Sequence, residues 1–367
     1  MDGVIVRPAI FDDINAIWRI EEQSFETDHI SRRSFRAFIK RPTAKVIVAE
    51  NVHRKVVGYA VILFRRKTAL ARLYSIAVLK NAVQRGIGKV LLEASETLAF
   101  EEGRVYMRLE VHEDNEKAIR LYRRLHYRLI GHYLNYYDDH GTALRLEKTL
   151  RGDTPIETDI PYYQQTTEFS CGAACLLMAI KHFEPETEMS PVLELRLWRG
   201  ATTVFMLSGP GGCEPFGLAV QAHLYGLSAQ IFVSDDAFLF LNSVRDPEKR
   251  KVMELAQTDF RAEAAKAKIP VYHRAFALND IRAAIARGAV VLVLISFYHM
   301  FGKKIPHWVL AHGDDGRHIL IHDPWVEEKE GETIADSANL PLRYDVFDHI
   351  ARFGKDNLRA AVILEKN

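Results

Sequence analysis

Between Glu147 and Pro161 the hydrophobic periodicity of the chain lapses, in the stretch EKTLRGDTPIETDIP. Gly152, Pro155 and Pro161 interrupt helix and ladder alike, and the charges around them mark a connecting segment. This gap constrains the fold most, because it divides 367 residues into two pieces, each long enough to bury its own core. We expect domains at 1–150 and 161–367, joined by a linker at 151–160. Lys and Arg number 49 against 48 Asp and Glu, so no bulk field draws the chain to nucleic acid or to a membrane. The start, MDGVIVRPAIFDD, lacks a basic region followed by an apolar one, and we expect no signal peptide. The longest apolar run, AVVLVLISF from Ala289 to Phe297, falls far short of the ~20 residues of a spanning helix and reads as a buried strand. Three cysteines form an odd set that argues against a disulfide framework and for a reducing, cytoplasmic setting. Oligomeric state is not legible.

The first piece alternates strand and helix patterns, as a mixed α/β domain does. VIVRPA, AKVIVAE, VVGYAVILF and ARLYSIAVL read as strands, and DDINAIWRIEEQSF as an amphipathic helix capped by Asp12 or Asp13. A helix is expected from about Lys89 to Glu101, a strand at RVYMRLEVH, a helix at NEKAIRLYRRL, and a closing pair at YRLIGHYLNYY and TALRLEKTL. In NAVQRGIGKVLL a strand feeds a helix. Gly86 and Gly88 let the backbone approach a ligand closely, and the unpaired N–H groups of the helix start favour an anion such as a pyrophosphate. A tight strand-to-helix turn with no ligand is the alternative for these two glycines alone.

The pair QRGIGKVLL and LEVHEDNEKAIRLYRRLHY resembles the GNAT family of acetyltransferases. The second stretch is similar to the ribosomal-protein N-terminal alanine acetyltransferase type within that family. The resemblance implies a mixed-sheet fold and acetyl-CoA as cofactor. It implies that Ile76, Ala77 and Val78 hold the pantetheine arm through their backbone. It also implies that Gln84, Arg85, Gly86, Ile87, Gly88 and Lys89 cradle the pyrophosphate, and that Asn115 touches the cofactor. Glu110 matches the general base and Tyr122 the general acid of a direct acyl transfer to an amine. Val83 stands where the family usually has Gln or Arg, but backbone N–H groups carry the binding.

In the second piece, helices are expected at Cys171–Phe183, Leu218–Tyr225 and Leu278–Ala286, with strands near Ala229–Val233, Val290–Phe297, His307–Ala311 and His318–Ile321. PEKRKVMELAQTDFRAEAAKAK reads as a charged, solvated helix. TTEFSCGAACLL sets Cys171 at a helix start, with Ser170 as N-cap. A helix N-terminus stabilises a thiolate, and Gly172 is expected to leave room for a substrate. Cys175 reads as core, and Cys213 receives no role. A buried, inert thiol is the alternative for Cys171. A nucleophilic thiolate needs an imidazole and a group to orient it. In PHWVLAHGDDGRHILIHDPW, a three-residue loop Asp314-Asp315-Gly316 sets His307 opposite Asp323, whereas a two-residue loop sets His307 opposite Pro324. His307, His312, His318 and His322 lack a metal-ligand spacing, so no metal is expected.

The run YYQQTTEFSCGAACLL, then HWVLAHGDDG, then HDPW resembles the bacteriocin-leader-processing (double-glycine) cysteine peptidases of the papain-like superfamily. The ends of the second piece carry the resemblance; Glu184 to Ile269 does not. It implies Cys171 as nucleophile, His307 as general base and acid, Asp323 as the residue that orients the imidazole, and Gln165 as an oxyanion donor. The chain then reads as an α/β (α+β) protein, a GNAT mixed-sheet domain followed by a papain-like domain. We expect an acetyl-CoA-dependent N-acetyltransferase of a peptide or protein amine fused to a cysteine peptidase. Two alternatives stay open for the second piece: an inactive peptide-binding module, and an amide-forming acyltransferase of papain-like type.

Overall fold

The computed structural model describes residues 4–25, 29–64, 69–79, 86–152, 159–203, 211–241, 244, 246–297, 306–326 and 334–367. Among the described residues the chain forms two compact units, the first up to residue 152 and the second from residue 159 onward.

The first unit is a seven-stranded sheet in the order β1-β2-β3-β4-β5-β7-β6. Its strands are β1 (Ile5–Pro8), β2 (Ala44–Glu50), β3 (Val56–Phe64), β4 (Leu70–Val78), β5 (Tyr106–His112), β6 (Arg128–Tyr133) and β7 (Ala143–Thr149). Side chains alternate across a pleated strand. Along β3, Tyr59 and Val61 enter one core with Ile17 of α1 (Ile14–Ser24) and Phe35 of α2 (Arg32–Lys40). Ala60 and Ile62 enter a second core with Leu91 of α3 (Ile87–Glu101) and Ile119 of α4 (Glu116–Arg124). Both faces are thus covered, which is why β3 reads as a continuous apolar run rather than an alternating one.

The expected aspartate cap of α1 is replaced by a different device. Asp13 ends a short 3-10 turn, Phe11–Asp13, and makes no side-chain cap to α1. Its carboxylate accepts from Ile10 N at 2.8 Å and from both Arg7 terminal nitrogens at 2.7 and 2.9 Å. A charged partner and an orphan N–H together outcompete the cap.

The second unit holds a second seven-stranded sheet, in the order β13-β12-β11-β10-β14-β8-β9. Its strands are β8 (Leu227–Val233), β9 (Val271–Tyr272), β10 (Val290–Ser296), β11 (Pro306–Asp314), β12 (His318–His322), β13 (Leu340–Arg343) and β14 (Ala360–Lys366). Against one face lies α5 (Cys171–Phe183), followed by α6 (Pro191–Ala201) and α7 (Pro215–Leu224). Helix α5 is apolar all round and buried along most of its length, as a core helix must be. Helix α7 begins three residues earlier than its hydrophobic run, because Pro215 opens it and the Glu214 carboxylate caps Gly217 N at 2.9 Å. Two further helices are α8 (Pro247–Lys266) and α9 (Leu278–Ala286). No described helix is long and apolar enough to cross a membrane.

Candidate active sites

In the first unit the site is opened by a bulge. Strands β4 and β5 run parallel from Leu70↔Tyr106 to Leu73↔Leu109, and their ladder ends there. The β3–β4 register jumps at the same place: Val61 pairs with Ser75 and Ile62 with Leu73, leaving Tyr74 as the extra residue. A bulge bends its strand. Beyond it β4 stays with β3 as far as Val78, while β5 stays with β7 as far as His112. Ile76, Ala77 and Val78 therefore border one side of a split in the sheet, and Glu110 lies on β5 past the last β4–β5 pair.

Helix α3 adds its N-terminus to this unit. Gly86 is its N-cap at φ +74°, a left-handed conformation suited to glycine, and among the described residues no side chain caps the helix. The first intrahelical bond is Val90 N to Gly86 O, at 3.2 Å, so the N–H groups of Ile87, Gly88 and Lys89 have no partner within the helix. A Cβ at Gly88 would meet nothing closer than Leu121 at 3.8 Å and Val78 at 3.9 Å. Packing against the described residues does not require a glycine there. A strand split, an uncapped helix start and a bare Gly88 fit a nucleotide pyrophosphate with its thiol arm. Gln84 and Arg85, with Val83, lie outside the described residues.

The two candidate proton carriers differ in setting. Glu110 Oε2 accepts from Arg72 Nε at 2.7 Å, and Arg72 Nη2 donates to Tyr136 OH at 2.6 Å. Tyr122 of α4 is buried against Tyr127, and burial pushes its phenol well above the ordinary value, so it stays protonated across the neutral range. Asn115 is the N-cap of α4, with Oδ1 accepting from Ala118 N at 3.2 Å. Its structural task is thus a cap, with only the amide nitrogen left for a ligand.

In the second unit, Cys171 is the first residue of α5 and is buried. His307 stands on β11, and its Nε2 is 2.7 Å from Asp323 Oδ1. Cys171 is close enough for its charge to act on the imidazole; with Nε2 engaged by Asp323, Nδ1 is the nitrogen left for sulfur. Burial works to lower the imidazole pKa, but the charges of Asp323 and Cys171 and the hydrogen bond to Asp323 outweigh it and raise the group to about 10. Phe297 packs on the ring at 4.7 Å between centroids, and Asp323 Oδ1 also accepts from Trp325 N at 2.9 Å.

The hairpin behind this pair departs from both expected registers. Asp314 pairs with Ile319 and Gly313 with Leu320, after which the ladder shifts so that Ala311 pairs with Ile321 and Leu310 with His322. The turn spans Asp315 to Arg317, closed by Asp315 N donating to His318 O at 3.2 Å, with Asp314 Oδ1 accepting from Gly316 N at 2.9 Å and Asp315 Oδ1 from Arg317 N at 2.8 Å. Gly316 is left-handed as expected, at φ +89°. Continued past Leu310, the register sets Asp323 opposite Val309 rather than His307, and the 2.7 Å contact is diagonal. The extra residue, His312, decides the outcome. Without it Asp323 would oppose Leu310 and point away from the side of His307, since a one-residue slip inverts every side chain.

Three further expectations change at the helix start. Ser170 is the N-cap by position, but its hydroxyl makes no cap bond and is held by Glu194 of α6. Gly172 is not space for a substrate: a Cβ there would lie 2.8 Å from Cys213 Cβ and 3.1 Å from Trp308 Cδ1. Cys213, given no role from sequence, is thus packed against the start of α5. All three thiols are free and buried; burial raises those of Cys175 and Cys213 well above the ordinary value, with the neighbouring Cys171 adding to it. Gln165 is buried, its N–H donates to Pro324 O at 2.9 Å, and its Nε2 donates to Thr167 O at 2.7 Å. This ties it both to the segment after Asp323 and to the segment before Cys171. Among the described residues no cluster of His, Cys, Asp and Glu could hold a metal.

Sequence reading missed Arg72, Tyr136 and Glu194. The Ser190-Pro191 pair was a usable start signal for α6, but nothing local tells which loop Glu194 would meet.

Comparison with known proteins supplies the families. Residues 9–127 match the Acetyltransferase (GNAT) family, whose members use acetyl-CoA. Residues 160–365, more than half the chain, match the family described as "Peptidase_C39 like family". No curated protein matches the chain. Among solved structures, Ard1 from Thermoplasma volcanium is 25% identical, with 40% of this chain and 98% of that chain covered at a TM-score of 0.38. The ribosomal-protein-S18-alanine N-acetyltransferase from Escherichia coli is 20% identical, with 44% and 99% covered at 0.37. The NatC complex bound to Gag peptide and CoA is 18% identical, with 40% and 99% covered at 0.37. The chain belongs to the Peptidase_C39 like family and carries, ahead of that domain, an acetyltransferase domain of the GNAT family.

Proposed function

We propose that the chain is a two-site enzyme, an N-acetyltransferase of peptide or protein amines at 1–150 linked through 151–160 to a cysteine peptidase at 161–367. The observation that carries the second activity is His307, bonded through Nε2 to Asp323 at 2.7 Å and electrostatically coupled to Cys171 at the head of α5.

The peptidase chemistry follows from those contacts. His307 Nδ1 takes the proton of Cys171, and the thiolate attacks a peptide carbonyl. The carbonyl oxygen gains the negative charge, and the donors assigned to it are the N–H of Cys171 and the second hydrogen of Gln165 Nε2. His307 returns its proton to the departing amine, leaving a thioester on Cys171. Water attacks that thioester, giving its proton to His307, and the acid is released as the thiol re-forms. Asp323 holds the ring and keeps the imidazolium favourable throughout.

In the first unit acetyl-CoA supplies an acetyl group activated as a thioester. Ile76, Ala77 and Val78 offer backbone groups to its arm, and Gly86, Ile87, Gly88 and Lys89, with Gln84 and Arg85, receive its phosphates. Glu110 takes the proton of the accepting amine, and Tyr122 Oη holds a proton for a sulfur leaving group.

Iodoacetamide alkylation of Cys171 against pH, read by peptide mass spectrometry, tests the peptidase site. Labelling that stays fast below pH ~7 and collapses in His307→Ala is the expected result. A rate that follows an ordinary thiol and ignores the substitution overturns it. For the first unit, Glu110→Gln is expected to lower acetyl transfer to peptide N-termini roughly 10²-fold or more while calorimetry finds acetyl-CoA bound as before.

A further inference from the structure

Glu194 is wholly buried, and its described partners are all neutral donors. Oε1 accepts from Thr166 N at 2.9 Å and from the Ser170 hydroxyl; Oε2 accepts from Thr166 Oγ1 at 2.6 Å and from Tyr163 OH at 3.1 Å. A buried carboxylate without a cation is costly unless hydrogen bonds saturate it, and here four do. All four come from Tyr163 to Ser170, the segment that contains Gln165 and leads into Cys171. Two more bonds stiffen the same segment: Thr167 Oγ1 donates to Ser170 Oγ at 2.8 Å, and Gln165 Nε2 donates to Thr167 O at 2.7 Å. Ser170 forgoes its ordinary capping bond to take part.

From this geometry we infer that Glu194 is a positioning residue for the cysteine chemistry: it clamps the Tyr163–Ser170 segment so that Gln165 and the Cys171 N–H converge on one carbonyl oxygen. The inference rests on the peptidase reading above, but it concerns only the fit between nucleophile and oxyanion donors. Charge-assisted hydrogen bonds are short and directional, and oxyanion stabilisation fails when a donor is misplaced by a fraction of an ångström. Glu194 lies behind the loop and touches no reacting atom; its effect passes through Gln165.

Two probes separate the clamp from the thiolate. Iodoacetamide alkylates sulfur by displacement and forms no oxyanion. p-Nitrophenyl acetate acylates sulfur through a tetrahedral oxyanion: the S–C bond forms, p-nitrophenolate leaves, and the thiol proton passes to His307. Both are read on the Cys171 peptide in the full chain. In Glu194→Gln the amide must present a donor where the loop offers donors, so the segment loses register. The expected result is an alkylation profile like that of the wild type with acylation slower by roughly 10²-fold, comparable to the loss of an oxyanion donor in Gln165→Ala. The double variant is expected to be no slower than either single one, because both remove the same interaction. A merely structural role would not produce that non-additivity. Wild-type acylation in Glu194→Gln, or losses that multiply in the double variant, overturns the inference. Should Glu194→Gln not fold, Thr166→Val removes one of the four bonds and is expected to give a smaller loss in acylation alone; no loss overturns the inference equally. A wild type whose alkylation ignores His307→Ala removes the peptidase reading itself, and the clamp with it. That outcome is seen in the alkylation arm, before the Glu194 variants are compared.

Discussion

Helices α3 and α5 both bring an N-terminus to a site, yet they are built in opposite ways. At α3 the chain enters through Gly86 in a left-handed turn, and among the described residues no side chain caps the helix and a Cβ at Gly88 would meet only ordinary contacts. At α5 the first residues are buried, the cap hydroxyl is drawn to Glu194, and a Cβ at Gly172 would collide with Cys213 and Trp308. The same dipole serves both, but at α5 the Ala173 N–H is taken by the Cys213 thiol. On the function proposed above, the difference follows from the origin of the reacting group: a nucleotide would arrive from solvent at an open helix start, whereas the sulfur belongs to the chain and is packed beside its imidazole and carboxylate.

The contrast can be broken most forcefully at Cys171. Cys171→Ala is expected to abolish acylation by p-nitrophenyl acetate at that peptide while leaving calorimetric acetyl-CoA binding at the wild-type value; a change in acetyl-CoA affinity would mean that the two helix starts are not independent. Next comes pH. The folded-state pKa of His307 is raised from 6.5 to about 10, so the stability it contributes is complete below pH 6.5 and is lost as pH rises towards 10. Urea unfolding of the second unit should therefore weaken over that window in the wild type and less so in His307→Gln.

The two glycines sharpen the comparison directly. Gly172→Ala forces a shift against Cys213 and Trp308 and should destabilise the second unit by about 1–3 kcal/mol in chemical unfolding. Gly88→Ala meets no such contact and, with alanine the better helix former, should leave stability unchanged or raised by up to about 1 kcal/mol while weakening acetyl-CoA binding. If Gly88→Ala is instead the more destabilising, the open-versus-packed distinction is wrong. The smallest effect is expected at an ordinary cap: Asn115→Ala should cost about 1 kcal/mol of first-unit stability, measured by thermal unfolding.

Much of this was legible in the residues because it is local. Helices α5 and α9 run over the residues their periodicity marks, and β10 is the buried strand that its apolar run implies. Helix α2 escaped notice because RRSFRAFIK carries few apolar residues and many charges. Strand β14 escaped for another reason: a terminal segment gives no sign that it will lie between β10 and β8 in the middle of a sheet.

The sequence alone determined the two domain types and their order along the chain, because periodicity, turn chemistry and motif spacing act over a few residues at a time. Tertiary structure alone decided the arrangement of the site residues. The extra residue at His312 returns Asp323 to the side of His307, the bulge at Tyr74 parts β4 from β5, and Glu194 meets a loop 24 to 31 positions before it. Each of these depends on which distant strand or helix a residue is packed against, and pairing across such separations is set by the burial and hydrogen bonding of the whole unit rather than by any stretch of chain.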